Sequence, residues 1–426
     1  MRAAILVGGM GTRMADLFCD LPKPMIPVFG KPLLQMQIEN LAAQNIYDIT
    51  LIAGYRSDVI QSHFCNGNSI GVNITYIIEN KPLGTGGALS MLPCEDTLVL
   101  FGDVYCKVDF KRFIRFHKEK NASITLFVHP NSHPFDSDIV ICDEDNRVIA
   151  WKSKKDGKRG DLRNLANAGL YIFSSSALPQ GKPTNCDLDI DLIRKAISLG
   201  KVYAYRSTEY VKDFGTPERL RIVKNDMENC ITEARSLEQK QVAVFLDRDG
   251  TINKLRGLIT SPDKIELISG VADAIRALNS SKYLVICVTN QPVVARGMAT
   301  LIQLELIHAR LDTLLGENGA YLDDLFFCPH HPDGGYIEEV PEYKIECDCR
   351  KPKMGLLIAA SIKYNIDLSR SYMIGDSTAD IATAREACCK AFGLRSGEAL
   401  KDGKYDISPD AIYDSLEMAV KDILLY

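Results

Sequence analysis

Two aspartates separated by a single residue stand directly after an apolar run in the second half of the chain. Residues 242–246 are apolar, Asp247 and Asp249 follow, and Gly250 lets the chain turn. At the end of a buried strand, both carboxylates can face one pocket. One can attack a phosphorus atom while the other moves a proton. The pair therefore predicts phosphoryl-transfer chemistry.

A second chemical cluster combines thiols and an imidazole. Its members are Cys328, His330, Cys347 and Cys349. Four such ligands fill the tetrahedron that structural zinc prefers. His331 is an alternative to His330, and reduced cysteines in a plain loop are the simpler alternative to a metal site. The loop between the two pairs is rich in glycine and acids, so zinc would order it and hold Arg350 and Lys351 beside a phosphate.

The first half of the chain carries glycine-rich segments and two distant acids. The segment 8–13 follows a short apolar run, and its glycines let the backbone approach a phosphate chain. A tight turn is the simpler interpretation, and the glycine spacing fits neither a Walker loop nor the dinucleotide fingerprint. Further features strengthen the phosphate-binding interpretation: Arg13, Lys23 between two prolines, a second glycine cluster at 84–87, Asp103 after an apolar run, and Asp213.

In this order, these motifs resemble the sugar-1-phosphate nucleotidyltransferases over about residues 1–225, and among them the heptose 1-phosphate guanylyltransferases. The resemblance implies nucleotide binding by Leu6, Gly8, Gly9, Gly11, Thr12, Arg13, Lys23, Gly84, Thr85 and Asp103. It implies sugar-phosphate binding by Gly86, Lys154, Asn167 and Gly169, Mg²⁺ binding by Asp103 and Asp213, and catalytic charge neutralisation by Arg13 and Lys23. Ser153 departs from the family, where many members have glutamate, which leaves the sugar open.

The second half resembles the haloacid dehalogenase (HAD) phosphatases over about residues 241–426. The resemblance implies that Asp247 forms an aspartyl-phosphate and that Asp249 acts as acid and base. Substrate binding would fall to Thr289, Asn290, Arg296, Arg350 and Lys351, and Mg²⁺ binding to Asp247, Asp249 and Asp376, with Asp380 in support. Ser377 stands where close relatives often carry lysine. The zinc loop is similar to that of heptose 1,7-bisphosphate 7-phosphatases, and histidinol-phosphate phosphatases are the main alternative.

The elements that must position these residues alternate along the sequence. Strands are predicted at 49–53, 97–101, 124–128, 284–289, 325–328 and 372–374, and helices at 33–44, 109–120, 272–279, 300–315 and 356–364. Such alternation is typical of α/β folds. We expect two Rossmann-like domains: a glycosyltransferase-A-like mixed sheet at 1–225, and a parallel HAD sheet without a large cap at 241–426. A helical linker at 226–240 would join them.

Composition excludes several other classes of protein. The chain has 426 residues, 46% of them hydrophobic, and a net charge of −5. It lacks the basic excess of a general nucleic-acid binder and an apolar stretch of about 18 residues that could span a bilayer. The 13 cysteines and the absence of a signal pattern predict reduced thiols in a cytoplasmic protein. Small molecules are therefore the expected partners, and homo-oligomers stay open.

Together the two halves predict a bifunctional enzyme that forms a nucleotide-activated heptose. A phosphatase would remove the 7-phosphate of heptose 1,7-bisphosphate, and a nucleotidyltransferase would join the remaining heptose 1-phosphate to a nucleotide, GTP being expected. One alternative is a transferase for another sugar 1-phosphate, such as mannose, fused to a histidinol-phosphate-like phosphatase. A non-enzymatic regulatory protein is the weaker alternative, because it need not keep Arg13, Lys23, Asp103 and Asp213.

Overall fold

The computed structural model describes residues 1–9, 21–157 and 160–425. The helices are α1 Leu33–Ala43, α2 Ser57–Phe64, α3 Gly84–Gly87, α4 Phe110–Glu119, α5 Arg194–Ile197, α6 Pro217–Glu228, α7 Ile231–Ala234, α8 Val271–Asn279, α9 Leu301–Glu317, α10 Gly355–Tyr364, α11 Thr378–Glu386 and α12 Leu416–Leu425. None of these helices has the length and apolar character that crossing a bilayer would need.

The strands follow the same alternation. They are β1 Arg2–Leu6, β2 Pro27–Val28, β3 Lys31–Pro32, β4 Asp48–Ala53, β5 Asn73–Ile78, β6 Thr97–Phe101, β7 Val104–Lys107, β8 Ile124–His129, β9 Ile139–Cys142, β10 Val148–Lys152, β11 Ala166–Phe173, β12 Val202–Arg206, β13 Tyr210–Asp213, β14 Ala243–Leu246, β15 Leu284–Asn290, β16 Asp324–Cys328, β17 Tyr372–Gly375, β18 Lys390–Leu394 and β19 Ala411–Tyr413.

The first sheet is mixed, as the sequence predicts. Its order is β10-β9-β11-β6-β1-β4-β5, with β8 paired to β11 and β12. β1 runs parallel to β4 and β6, whereas β11 is antiparallel to β6. Ala3, Ala4 and Ile5 are fully buried at the centre, which explains why residues 3–7 form an unbroken apolar run. Because β1 and β6 are parallel neighbours, Gly8 and Asp103 emerge at the same edge of the sheet.

The second sheet is parallel throughout, which confirms the predicted HAD-type architecture. Its six strands have the order β16-β15-β14-β17-β18-β19. β14 lies between β15 and β17 and is buried along its whole length. The carboxyl ends of these three strands carry Asp247, Asn290 and Asp376, so the fold brings three distant sequence motifs to one edge.

The chain forms two compact units, and each is discontinuous in sequence. The first comprises Met1–His129, Val140–Lys152 and Asn167–Ser236, and the second comprises Pro130–Ile139, Ser153–Ala166 and Leu237–Tyr426. Between residues 225 and 240 the chain contains the end of α6, then α7, then turns. The boundaries at 225 and 241 stay a prediction. Residues 130–139 and 153–166, which lie before position 225 in the sequence, group with the second unit.

Arg163 connects residues 153–166 to α9 of the second unit. Its Nε donates to Asp312 Oδ2 at 2.7 Å and its Nη1 to Glu305 Oε2 at 2.9 Å, both on α9. The Asn164 backbone N–H also donates to Asp312. Asp312 is almost fully buried, so removing its cation would leave a buried charge without compensation.

Candidate active sites

Three carboxylates and a lysine meet at the carboxyl edge of the second sheet. Oxygen atoms of Asp247, Asp376 and Asp380 lie within 4.8 Å of one another. Lys351 Nζ lies 2.7 Å from Asp247 Oδ1 and 2.6 Å from Asp380 Oδ1. Burial raises the pKa of Asp247 to about 7 against the opposing charge of Lys351, and the two neighbouring acids add to the rise. One ammonium does not neutralise three carboxylates, so the donor set fits a hard divalent cation.

Asp376 and Asp380 are held rigidly within this cluster. Asp376 accepts hydrogen bonds from Thr251 Oγ1 at 3.3 Å and from the Glu398 backbone N–H at 2.7 Å. Burial and the charge of Asp380 together raise the pKa of Asp376 to about 6. Asp380 accepts from both the backbone N–H and the hydroxyl of Ser377, which form the capping box of α11. Ser377, the departure noted in the sequence, therefore orients a carboxylate of the cluster.

Asp249 is held by three side chains. The guanidinium of Arg248 donates to both of its oxygens at 2.7–3.1 Å, and Asn253 and Gln291 donate at 2.9 and 2.8 Å. Burial would raise the pKa of Asp249, but Arg248 and these hydrogen bonds keep it below its ordinary value. Sequence reasoning assigned no role to Arg248 or Gln291, although both lie within the motifs that it quoted.

Gly250 allows the acidic strand end to turn tightly. Its φ is +90°, and a Cβ there would lie 2.2 Å from Asp376 Oδ2. Only glycine combines this backbone conformation with so close an approach of a carboxylate. The turn therefore lets Asp247 and Asp249 follow one another into the same site.

The residues predicted to bind the phosphatase substrate are placed as follows. Thr289 is buried and accepts from Gln291 Nε2 at 3.0 Å. The amide of Asn290 is committed to the backbone of Lys351, donating to its carbonyl and accepting from its N–H, both at 3.0 Å. Asn290 therefore positions Lys351. The structure adds this role to the substrate-binding role predicted for Asn290. The guanidinium of Arg296 lies 4.5 Å from the ring centre of Tyr336.

The four predicted zinc ligands converge on one point. Cys328 Sγ lies 3.5 Å from Cys347 Sγ and 3.7 Å from His330 Nδ1, and Cys349 Sγ lies 3.3 Å from both Cys347 Sγ and His330 Nδ1. A tetrahedron built on Zn–S of about 2.3 Å and Zn–N of about 2.0 Å has edges of about 3.5–3.8 Å. These separations are far beyond a disulfide bond. His331 instead contacts Arg296, and Arg350 donates to the His330 carbonyl.

In the first unit, Lys23 and the two predicted Mg²⁺ ligands form a group at the edge of the first sheet. Lys23 Nζ lies 2.5 Å from Asp103 Oδ2. The Phe214 backbone N–H donates to the Asp103 carbonyl, which ties the residue after Asp213 to Asp103. Burial would raise the pKa of Asp213, but hydrogen bonds from Arg219 and Gly215 and the charges of Arg219 and Lys23 lower it. Two carboxylates placed in this way fit Mg²⁺, which completes its shell with water and substrate phosphates.

The glycine segments are only partly described. Leu6 ends β1 and accepts from the Gly102 N–H, Gly9 is exposed, and Gly11, Thr12 and Arg13 lie outside the described residues. A Cβ at Gly8 would lie 3.0 Å from Glu79 Oε2, which places this acid beside the predicted nucleotide loop. Burial raises the pKa of Glu79. Sequence reasoning missed Glu79, although an acid directly after an apolar strand was an available signal.

The second glycine cluster is fixed by the segment that follows residue 185. Gly84 has φ +71°, and a Cβ there would lie 2.4 Å from the Cys186 carbonyl oxygen. The Gly86 N–H donates to that carbonyl at 2.9 Å, and Thr85 Oγ1 accepts from the Leu188 N–H at 2.9 Å. These contacts give the second glycine cluster a defined shape.

The predicted sugar-phosphate residues lie in both units. Asn167 and Gly169 belong to β11 in the first unit, whereas Lys154 belongs to a segment of the second unit and lies 3.9 Å from Asp136. Asn167 donates to the Tyr171 hydroxyl, and its buried Oδ1 has no hydrogen-bond partner among the described residues.

Two models of known protein families match this chain. The model described as nucleotidyl transferase matches residues 2–229. The chain belongs to the nucleotidyl transferase family. A second model, described as HAD-hydrolase-like, matches residues 348–419. The resemblances predicted for both halves are therefore confirmed.

Individual relatives match one half of the chain each. D-glycero-β-D-manno-heptose-1,7-bisphosphate 7-phosphatase of Yersinia pestis is 42% identical over 151 residues, 35% of this chain and 78% of that protein. D-glycero-α-D-manno-heptose 1-phosphate guanylyltransferase of Aneurinibacillus thermoaerophilus is 31% identical over 236 residues, 54% of this chain and 100% of that protein. Mannose-1-phosphate guanylyltransferase of Mycobacterium tuberculosis is 33% identical over 223 residues, 51% of this chain but only 61% of that protein. The second half thus belongs with the heptose bisphosphate phosphatases.

Proposed function

We propose that the chain is a bifunctional enzyme that converts heptose 1,7-bisphosphate into a guanosine diphosphate heptose. The observation that carries the proposal is the pairing of relatives on one chain. One relative removes the 7-phosphate of a heptose 1,7-bisphosphate, and the other is a heptose 1-phosphate guanylyltransferase. The product of the first reaction is the kind of substrate that the second requires.

In the second unit, Asp247 attacks the 7-phosphorus and the bond to the sugar oxygen breaks, which leaves an aspartyl-phosphate. Lys351 opposes the rise that burial causes in the pKa of Asp247, and its ammonium balances phosphate charge. Asp249 then takes a proton from the attacking water, and its lowered pKa keeps it ready as a base. To protonate the sugar oxygen in the first step, Asp249 has to loosen its contacts with Arg248. Asp247, Asp376 and the backbone carbonyl of Asp249 would hold Mg²⁺, which would supply further charge neutralisation when bound.

In the first unit, an oxygen of the heptose 1-phosphate attacks the α-phosphorus of GTP, and the bond from that phosphorus to pyrophosphate breaks. The nucleophile is already an anion, so the site needs positioning and positive charge rather than a strong base. Lys23 supplies a fixed ammonium, and Arg13 is proposed to supply a second cation. Mg²⁺ held by Asp103 and Asp213 neutralises phosphate charge when bound.

We propose guanine as the base, since two relatives of the first half are guanylyltransferases. We further propose that zinc in the second unit is structural, because its four ligands leave no open position. The described cysteines form no disulfide bond with one another, which supports a cytoplasmic location.

Product analysis tests the function. The full chain, Mg²⁺ and each nucleoside triphosphate in turn are incubated with the α or β anomer of the heptose 1,7-bisphosphate, since the two relatives differ in anomer. We expect phosphate release even when no nucleotide is present. Pyrophosphate and nucleotide sugar should then form with GTP and with no other nucleoside triphosphate. Both reactions should use the same anomer. Pyrophosphate release with mannose 1-phosphate, and no phosphate release from either heptose anomer, would instead favour the mannose alternative that one relative suggests.

A further inference from the structure

Arg219 makes an unusual contact with the predicted metal ligand Asp213. A single nitrogen, Nη1, donates to both carboxylate oxygens, at 2.8 Å to Oδ1 and 2.7 Å to Oδ2. Nearly equal distances place that nitrogen close to the bisector of the carboxylate. A metal ion that binds both oxygens at once would need the same position. Oδ1 also accepts from the Gly215 N–H at 3.0 Å, so Oδ2 is the less occupied oxygen.

Both partners are fixed by their elements. Asp213 ends β13, where it pairs in register with Val104 of β7. Arg219 lies in the first turn of α6, whose N-cap Thr216 accepts from the Arg219 N–H at 3.3 Å and whose first position is Pro217. Three residues separate the end of β13 from the start of α6, so the contact follows from the local backbone.

The contact does little for stability. About a third of each side chain is exposed, and ion pairs of that exposure contribute little to the free energy of unfolding. A pairing that favours stability or recognition would use two parallel N–H donors, whereas here one nitrogen faces both oxygens. The geometry is better explained by what it prevents at the carboxylate.

We propose that Arg219 is a specificity-determining residue for the metal of the nucleotidyltransferase site. Ca²⁺ accepts carboxylates that bind through two oxygens, whereas Mg²⁺ demands compact octahedral geometry and takes one oxygen from each of one or two carboxylates. By occupying the two-oxygen position of Asp213 and leaving Oδ2 accessible, Arg219 disfavours Ca²⁺ and permits Mg²⁺. This inference rests on the proposed function, which makes the site a Mg²⁺ site.

Metal binding tests the inference without reference to turnover. Ca²⁺ and Mg²⁺ are titrated calorimetrically into the full chain with a non-hydrolysable GTP analogue, in an Asp376→Asn background that disables the acidic cluster of the second unit. Arg219→Met and Arg219→Gln should tighten Ca²⁺ binding about fivefold more than Mg²⁺ binding, because Ca²⁺ alone gains a second oxygen. Arg219→Lys should keep the original ratio, because an ammonium can occupy the same position.

The matched control is Arg221→Met, which removes an exposed positive charge from the same helix. A general charge effect would change the affinities for both ions equally in this variant. We therefore expect no change in the ratio of Ca²⁺ affinity to Mg²⁺ affinity. An unchanged Ca²⁺ to Mg²⁺ ratio in both folded Arg219 variants, or an equal change in Arg221→Met, overturns the inference. Failure of the proposed function appears separately, as absent pyrophosphate release by the unmodified chain with GTP and heptose 1-phosphate.

Discussion

At the scale of single residues, burial sets the protonation of side chains around the second site. His308 is fully buried on α9, and neither ring nitrogen has a hydrogen-bond partner among the described residues. Burial lowers its pKa to about 4; Glu305 opposes this shift, while the charges of Arg248 and Arg163 add to it. The lowered pKa favours a neutral His308 ring in the folded chain, where the ring packs among charged groups.

This predicts acid sensitivity of the second unit. An unfolded histidine has a pKa near 6.5, so as the pH falls below that value the unfolded chain binds a proton that folded His308 refuses. The linkage should remove about 2 kcal/mol of unfolding free energy between pH 7 and pH 5. His308→Gln should lose less over this interval in urea unfolding. A loss in His308→Gln identical to that of the unmodified chain would contradict the assignment.

The same scale shows where sequence reasoning ends. Asp247, Asp249 and Asp376 were predictable because each follows a buried apolar run, and a strand delivers its end residues by local geometry. The contacts of Arg219 with Asp213 and of Asn290 with Lys351 were not predictable. They depend on side-chain directions and on pairings that no single segment of sequence contains.

At the scale of elements, strands and helices follow from periodicity, and their ends from capping. α9 begins after Thr300, which forms a capping box with Gln303, and its predicted bounds differ from the structure by one or two residues. The assignment of segments to the two units was harder to predict than the helices and strands themselves. Residues 153–166 contact α9 through Arg163, more than 140 positions away in sequence.

The zinc loop is the element with the least apolar support. Between the two ligand pairs, residues 332–338 are exposed, and Ile337 is completely so. Zinc binding should therefore supply much of the ordering energy of the loop. Cys347→Ala should lower zinc content from one ion per chain, make the loop protease-sensitive, and reduce phosphatase activity by displacing Arg350 and Lys351. Metal analysis and limited proteolysis measure these effects.

A matched variant separates loss of zinc from loss of a thiol. Cys388→Ala removes an exposed cysteine of the same unit that is not among the four clustered ligands, and it should keep zinc and activity. Guanylyl transfer should survive in both variants. Full zinc content after Cys347→Ala, or active protein without zinc, would refute the site.

At the scale of the whole molecule, the chain holds two sets of reactive residues in two separate units. Lys23, Asp103 and Asp213 belong to the first, and Asp247 and Lys351 belong to the second. The proposed reactions are consecutive, so the phosphatase must act before the transferase. The activities should therefore be separable by substitution and ordered in time.

Asp247→Asn tests both properties together. Asparagine keeps the shape of the side chain but is a far weaker nucleophile, so phosphate release should fall at least about 1,000-fold. Starting from heptose 1,7-bisphosphate and GTP, this variant should form no nucleotide sugar. Supplied heptose 1-phosphate should restore guanylyl transfer to the unmodified rate, because no residue of the first unit has changed. Asp103→Asn should show the reverse pattern, with phosphate release intact and heptose 1-phosphate accumulating. A folded Asp247→Asn chain that loses both activities would show that the two sites are not independent.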